Sequence, residues 1–212
     1  MRYNQCLTNE YFEMIYMGNI WLRLKNFGAS VWARMKSWGK LSLLEILGTI
    51  ILAILIFLAV NTTLESRQVE GCSMQPGLED GQRVLVVKAS YWLGEPQRGD
   101  VIIFQSPTDA ERTLIKRVIG LPGEWVEIKD GKVYIDDQPL DEPYIQGDNK
   151  AYPRVEVPEG SYFVMGDNRN NSTDSRRWGM LSREFIIGRA WLCYWPLSAW
   201  HLIEGYAYGL EQ

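Results

Sequence analysis

Histidine is almost missing from this 212-residue chain, which has His201 alone. A Ser-His-Asp hydrolase or an imidazole-rich metal centre therefore has very little to draw on. Cysteine is also sparse, and Cys6, Cys72 and Cys193 lack the close spacing of a zinc or cluster site, so no metal is implied. A bridge between Cys72 and Cys193 stays open, because sequence spacing supplies no distance. Repeats and low-complexity tracts are absent. A basic excess is missing from the bulk of the chain: the net charge is −4, and residues 61–212 carry sixteen Lys and Arg against twenty-three Asp and Glu. An acidic domain offers no footprint for nucleic acid, and that class of partner drops out. The length suits one domain with a sizeable core and an anchor.

One long apolar run is present. Residues 41–60 carry a single charge, Glu45, and as a helix rising about 1.5 Å per residue they match a hydrocarbon core of roughly 30 Å. Glu45, one turn in, suits the positive end of the helix dipole. Forty residues precede the run, with six Lys and Arg against two acids, which fits an uncleaved signal-anchor better than a cleaved signal peptide. Arg23, Lys25, Arg34, Lys36 and Lys40 lie before the span and only Arg67 soon after it, so the positive-inside rule puts residues 1–40 in the cytoplasm and 61–212 outside. The leader mixes aromatics with bases, and it is either an amphipathic helix on the inner bilayer face or a disordered basic tail.

Beyond Gly81, short runs of β-branched and aromatic residues alternate with Gly, Pro and Asp turns, a strand pattern. Strands are expected near 83–88, 101–104, 114–119, 125–128, 132–135, 162–165 and 187–194. Asp130-Gly131 between two of them supplies the backbone of a tight hairpin. Residues 140–158, with three prolines among polar residues, are expected as an irregular connection.

Three segments carry chemistry. Ser73 stands about a dozen residues past the span, a hydroxyl that needs a base to become nucleophilic. Lys116 lies in an apolar run where, on a strand, Leu114 and Val118 share its face. A lysine acts as a general base once its pKa falls from ~10.4 to ~7–8, a change of on the order of 4 kcal/mol that burial can supply. Residues 166–179 pack hydroxyls, amides, carboxylates and guanidiniums, either as a solvated loop or as a network that orients the lysine. Calcium is the poorer reading, because the spacing is not that of an EF-hand loop. Cys72 is a weaker nucleophile candidate than Ser73, since neighbours on extended backbone point to opposite faces. His201 is expected to make ordinary packing contacts.

In the order Ser73-Met74-Gln75-Pro76, Lys116-Arg117-Val118-Ile119-Gly120-Leu121-Pro122-Gly123, and Gly166-Asp167-Asn168-Arg169 through Ser172, Asp174, Ser175 and Arg176, the sequence resembles the type I signal peptidases. These are membrane-anchored serine proteases that remove signal peptides from exported proteins. The resemblance covers the span and nearly the whole outer domain. It implies a mainly β fold of antiparallel coiled sheets with a small inserted hairpin subdomain at about 124–160. It implies Ser73 as nucleophile and Lys116 as general base, acting through an acyl-enzyme without a cofactor. Ser172 would hydrogen-bond Lys116, with Asp174 and Arg176 salt-bridged in support. The oxyanion hole would include the Ser73 N–H; Gly71 stands where some members place a second, hydroxyl donor, and Gly77 where threonine is frequent.

The resemblance further implies substrates with small residues at the first and third positions before the cut, an Ala-x-Ala pattern. Met74, Ile115, Val84 and Val86 would line the pocket, and the strand at 83–87 would take the substrate backbone by β-addition. The implied partners are signal peptides of exported preproteins, membrane lipid and a nearby secretion translocon. Trp191, Tyr194, Trp195 and Trp200, with Trp92, are either core and interface packing or contacts with the headgroup region. Two alternatives share these features: a non-catalytic membrane-tethered β-domain that binds peptides in the same cleft, and a self-cleaving Ser-Lys repressor, which the span and the missing DNA-binding segment disfavour.

Overall fold

The computed structural model describes residues 43–92 and 94–206; the expected leader at 1–40, Cys6 and the first two positions of the expected span lie outside them. The chain divides into two compact units, Met1–Phe57 and Leu58–Gln212. Helix α1, Leu43–Thr63, is apolar on every side and has no buried residue. Its 21 residues make it long enough to cross a membrane. It runs three residues past the expected end, through Asn61-Thr62-Thr63. Thr62 and Thr63 return their hydroxyls to the carbonyls of Leu58 and Ala59 at 2.9 and 2.7 Å, and Thr49 does the same to Glu45 at 2.8 Å. Polar groups satisfied inside the helix can lie in hydrocarbon.

The rest is mainly β. The strands are β1 (Leu64–Gln68), β2 (Arg83–Val87), β3 (Val101–Ser106), β4 (Asp109–Gly120), β5 (Trp125–Lys129), β6 (Lys132–Ile135), β7 (Gln138–Pro139), β8 (Tyr152–Glu156), β9 (Ser161–Met165), β10 (Leu181–Ser182), β11 (Ile186–Trp195) and β12 (His201–Leu202). A short helix, α2 (Ser175–Trp178), lies between β9 and β10. The larger sheet runs β1-β2-β11-β3-β4-β9-β10 with β12 on β11, and the smaller runs β7-β6-β5-β8. Every strand pair is antiparallel. The smaller sheet is formed by the stretch expected as an insertion, and its β5–β6 hairpin turns at Asp130 (φ 50°) and Gly131 (φ 75°), both in the left-handed region.

Each expected strand forms, β4 beginning five residues before its expected start, while β1, β8 and the two-residue strands β7, β10 and β12 were not foreseen. β1, Leu-Glu-Ser-Arg-Gln, has no apolar alternation because it is an edge strand, a place where charged side chains are usual. β8 contains Pro153 and also lies at an edge, where the missing N–H costs no ladder bond.

Three apolar clusters hold the sheets. Val84, Val86, Ile103, Ile115 and Met74 form one; Ile119, Val126, Ile128, Val133 and Phe163 form a second; Ile102, Phe104, Val118, Tyr162 and Leu181 form a third. β3 supplies Ile103 to the first and Ile102 and Phe104 to the third, so it is covered on both faces. Phe104 is fully buried, with its ring 6.0 Å from that of Trp178. Phe104→Ala is expected to lower stability by about 3–5 kcal/mol, measured as the urea midpoint of unfolding, because the cavity opens in a covered strand.

Candidate active site

Ser73 sits in the turn between β1 and β2, and Lys116 on β4. Strand alternation turns Lys116 inward, and its residue is 3 % exposed. Lys116 Nζ lies 2.7 Å from Ser73 Oγ and 2.8 Å from the Ile115 carbonyl oxygen. Burial pulls the amine down to about 8, against the opposing charges of Asp174, Asp167 and Cys72. That displacement represents on the order of 3 kcal/mol in favour of the neutral amine. A neutral amine has a lone pair that can accept the serine proton.

The polar segment at 166–179 folds against this pair. Asn168 N–H donates to the Ser73 carbonyl at 3.0 Å and fixes the turn. Gly166 is packed so closely that a β-carbon there would overlap both the Ser73 carbonyl oxygen and Ser172 Oγ. Asp174 accepts from Gly166 N–H at 3.1 Å and caps α2 by accepting from Arg176 N–H. Arg176 closes on the Asp174 carboxylate through Nε at 2.8 Å and Nη2 at 2.7 Å. Burial pushes the Asp174 carboxyl up, but Arg176, the Ser172 hydroxyl and the Gly166 N–H together hold it below its ordinary value.

Ser172 departs from expectation. Its Oγ is buried near Asp174 but has no partner at hydrogen-bonding geometry, while Lys116 Nζ is taken by Ser73 and the Ile115 carbonyl. The expected hydrogen bond from Ser172 to Lys116 is therefore not made in this arrangement. Gly71 has φ +80°, and its N–H donates to Asp80 at 2.6 Å, so it anchors the turn. Cys72 and Cys193 are both free thiols, Cys72 exposed and Cys193 buried, and no bridge joins them. His201 Nδ1 lies 2.8 Å from the Ala199 carbonyl oxygen.

A cavity of about 40 Å³ opens beside Ser73 and Lys116, lined by Val84, Ile103 and Ile115 among others. Of the four expected pocket residues, Val84 and Ile115 reach it. Met74 and Val86 do not; both are buried in the first cluster. The expected β-addition at Arg83–Val87 is also corrected, because β2 is paired on both edges, by β1 and by β11. The open edge near Ser73 belongs to β4, which β9 pairs only from Arg117 to Gly120.

Two supports escaped the sequence reading. Arg117 grips Asp167 through two contacts of 2.9 and 2.7 Å. Arg169, with a fully buried side chain, grips Glu142 through contacts of 2.8 and 2.6 Å and also reaches Asn149. Gln146 bonds to the same loop, accepting from Arg169 N–H and donating to the Asp167 carbonyl, both at 2.8 Å. The sequence signal was weak: Glu142 and Asn149 lie in the proline-rich stretch expected to be irregular.

The described residues thus combine an antiparallel β domain that holds a buried lysine against a serine hydroxyl with an apolar helix, earlier in the sequence, long enough to cross a membrane. Residues 41–195 match the model of the family described as signal peptidase, peptidase S26. The chain is 45 % identical over 152 residues to a probable signal peptidase I-1 of Synechocystis sp., covering 68 % of this chain and 78 % of that protein. It is 44 % identical to signal peptidase I of Leptolyngbya laminosa, covering 74 % and 81 %, and 39 % identical to signal peptidase I U of Bacillus subtilis, covering 77 % and 93 %. The chain belongs to the signal peptidase family, peptidase S26. It is a membrane-anchored serine endopeptidase that removes signal peptides, which sets aside the non-catalytic alternative.

The depressed pKa of Lys116 has a consequence for folding. Unfolded, the lysine holds its proton up to about 10.5; folded, it releases it near 8. The unfolded state therefore binds more protons between those values, and stability rises with pH across that window. At pH 7 the charge penalty is fully present. Lys116→Met, similar in length and without charge, is expected to be more stable than wild type at pH 7 by about 2–3 kcal/mol, and the gap should narrow by pH 10. Urea unfolding at the two pH values checks it.

Proposed function

We propose that Ser73 is the nucleophile and Lys116 its general base, and that together they hydrolyse the bond after a small residue, in Ala-x-Ala-type sites, by way of an acyl-enzyme. The 2.7 Å contact between Lys116 Nζ and Ser73 Oγ carries this reading. As Oγ attacks the scissile carbonyl, its proton passes to the neutral Nζ. The carbonyl oxygen takes up negative charge, which the Ser73 N–H is suited to meet. Collapse of the tetrahedral species breaks the C–N bond, and the leaving nitrogen takes the proton from Nζ. A water molecule then attacks the ester, giving its proton to Nζ; Ser73 recovers a proton as the signal peptide departs with a free carboxylate. Asp174 and Arg176 keep the loop under this pair in place. Ser172, whose buried hydroxyl lies near Asp174 without closing a hydrogen bond at good geometry, is the group best placed to turn toward Nζ once substrate engages Ser73.

Small residues before the cut fit the narrow cavity of about 40 Å³ over Val84, Ile103 and Ile115. The substrate backbone pairs along the open edge of β4. The test is cleavage of a preprotein with an Ala-x-Ala site by detergent-solubilised protein. Ser73→Ala and Lys116→Ala should each lower kcat/KM by at least about 1000-fold. For wild type, kcat/KM should rise roughly tenfold per pH unit below pH 8 and level off above it, since only the neutral amine accepts the proton. Equal rates in the three proteins would remove the Ser-Lys mechanism.

We further infer that residues 61–212 face the outside of the membrane, next to lipid and to the translocon from which substrates emerge. Trp92, Trp191, Trp195 and Trp200 are each about half exposed, an arrangement suited to the headgroup region. In intact cells, a membrane-impermeant maleimide should label the exposed Cys72. Trp195→Ser with Trp200→Ser should slow cleavage of a membrane-embedded preprotein more than that of a short soluble peptide. Labelling only after lysis would reverse the orientation.

A further inference from the structure

The two arginine clamps beside the reacting pair, Arg117 on Asp167 and Arg169 on Glu142, meet at one further residue, Tyr144. Glu142-Pro143-Tyr144-Ile145 is a turn, closed by Ile145 N–H donating to the Glu142 carbonyl at 3.4 Å, with proline at the second place, where its fixed φ favours the bend. The turn brings the Tyr144 hydroxyl to the Glu142 carboxylate, and it donates to Oε1 at 3.0 Å. The same oxygen accepts from Arg169 Nη2 at 2.6 Å.

The ring of Tyr144 serves the other clamp. Its centroid is 4.3 Å from Cζ of Arg117. In its own plane that guanidinium donates to Asp167 through Nε and Nη2 and to the Gly99 carbonyl through Nη1. What it still offers is a face, and an aromatic ring is the group that fits a face. The Tyr144 ring is held in turn by that of Tyr206, with centroids 5.3 Å apart. Tyr206 packs on Gly99 so closely that a β-carbon there would overlap its carbonyl oxygen. The contacts thus close a circle, from Arg117 to Tyr144, Tyr206, Gly99 and back to Arg117.

We propose that Tyr144 is a positioning residue for the hydrolysis, its ring setting Arg117 on Asp167 and its hydroxyl setting Glu142 on Arg169, a role that rests on the reading of Ser73 and Lys116 given above. One side chain then fixes both ends of Asp167-Asn168-Arg169. Asn168, between the clamped residues, donates to the Ser73 carbonyl. Tyr144 is not among the residues that line the cavity beside Ser73 and Lys116, so it acts through this segment.

The two halves of the side chain have different consequences. Asp167 is one of the groups whose charge favours the Lys116 ammonium, with Asp174 on the same loop and Cys72 on the turn; Glu70, Asp109 and Arg112 line a cavity that Lys116 shares. Without the ring, Arg117 sits less firmly on Asp167, whose charge is then less well matched, and Lys116 keeps its proton to higher pH. Loss of the hydroxyl alone leaves Arg117 on Asp167 and shifts only the seat of Glu142 and Arg169, so it slows the reaction without moving its pH dependence.

The assay is cleavage of an Ala-x-Ala preprotein by the detergent-solubilised full chain. In Tyr144→Phe, which keeps the ring, kcat should fall about threefold, with KM and the pH midpoint of kcat/KM at their wild-type values. In Tyr144→Leu, which loses ring and hydroxyl, kcat should fall about thirtyfold at unchanged KM, and the midpoint should rise by about half a pH unit. A merely structural role would leave that midpoint in place, and a substrate contact would raise KM instead. A wild-type midpoint in Tyr144→Leu overturns the proposal, as does an equal rise in Tyr144→Phe or a loss confined to KM. Should Tyr144→Leu fail to fold, Tyr144→Phe decides: a lowered kcat at unchanged KM and midpoint supports the proposal, and a wild-type kcat overturns it. Ser73→Ala and Lys116→Ala are assayed alongside. Either of them cleaving at the wild-type rate removes the catalytic reading and this role with it; both inactive, with Tyr144→Leu matching wild type, removes the positioning role alone.

Discussion

Burial of one amine sets the terms for the rest of the molecule. Lys116 has to lie where water does not hold its proton, yet two carboxylates, Asp167 and Asp174, lie near enough for their charge to favour the ammonium. Each is clamped by a guanidinium. Arg117 takes both oxygens of Asp167, and Arg176 takes both oxygens of Asp174. A carboxylate whose charge is matched at under 3 Å projects a much weaker field onto a neighbour, so burial remains the larger influence on the amine. The two arginines thus act on the lysine through the acids they hold, and make no contact with it that the chemistry requires.

Those clamps need a rigid frame, and the loop supplies it by backbone contact. Asn168 holds the Ser73 carbonyl, Gly166 lets the loop pass within touching distance of the Ser73 turn, and Asp174 closes on Gly166 while capping α2. On its outer side the loop is gripped by residues 142–149, through Glu142 on Arg169 and Gln146 on the backbone of Asp167 and Arg169. A buried ion pair of this kind contributes little net stability against an apolar replacement, though removing one partner is costly. Its value lies in geometry: the pair fixes where the loop sits, and the loop fixes where the serine turn sits.

The elements with a strong local signal were legible from sequence. Strands rich in β-branched residues formed where alternation put them, Asp130-Gly131 turned the hairpin, and Ser73 and Lys116, 43 positions apart in sequence, met within hydrogen-bonding distance. What escaped depends on distant partners. β1 is polar and is a strand only because β2 pairs with it, and β8 carries a proline that only an edge tolerates. Glu142 looks like any acid in a polar connection until Arg169 is opposite it. Met74 and Val86 were placed in the pocket by analogy, whereas the packing of the first cluster takes them beneath it. Whether β2 could accept a peptide was likewise a question of sheet order, which no local pattern contains.

Sheet order also explains why the site is where it is. An exposed strand edge invites pairing with other chains, and this sheet limits that exposure in several ways: β10 and β12 are two residues long, and β1 carries Glu65 and Arg67 on its edge. β4 is the exception. It is twelve residues long, and β9 covers only its last four, from Arg117 to Gly120, with an irregularity between Val118 and Gly120. The ladder therefore stops at the residue after Lys116. Had β9 run further, the backbone beside the lysine would be paired and a peptide could not lie along it. Two cavities reach Ser73 and Lys116 there, one lined by Val84 and Ile103 and the other by Ser106, Thr108 and Asp109 near the tip of the β3–β4 hairpin. The short pairing of β9 on β4 thus leaves unpaired the strand edge that runs up to Lys116.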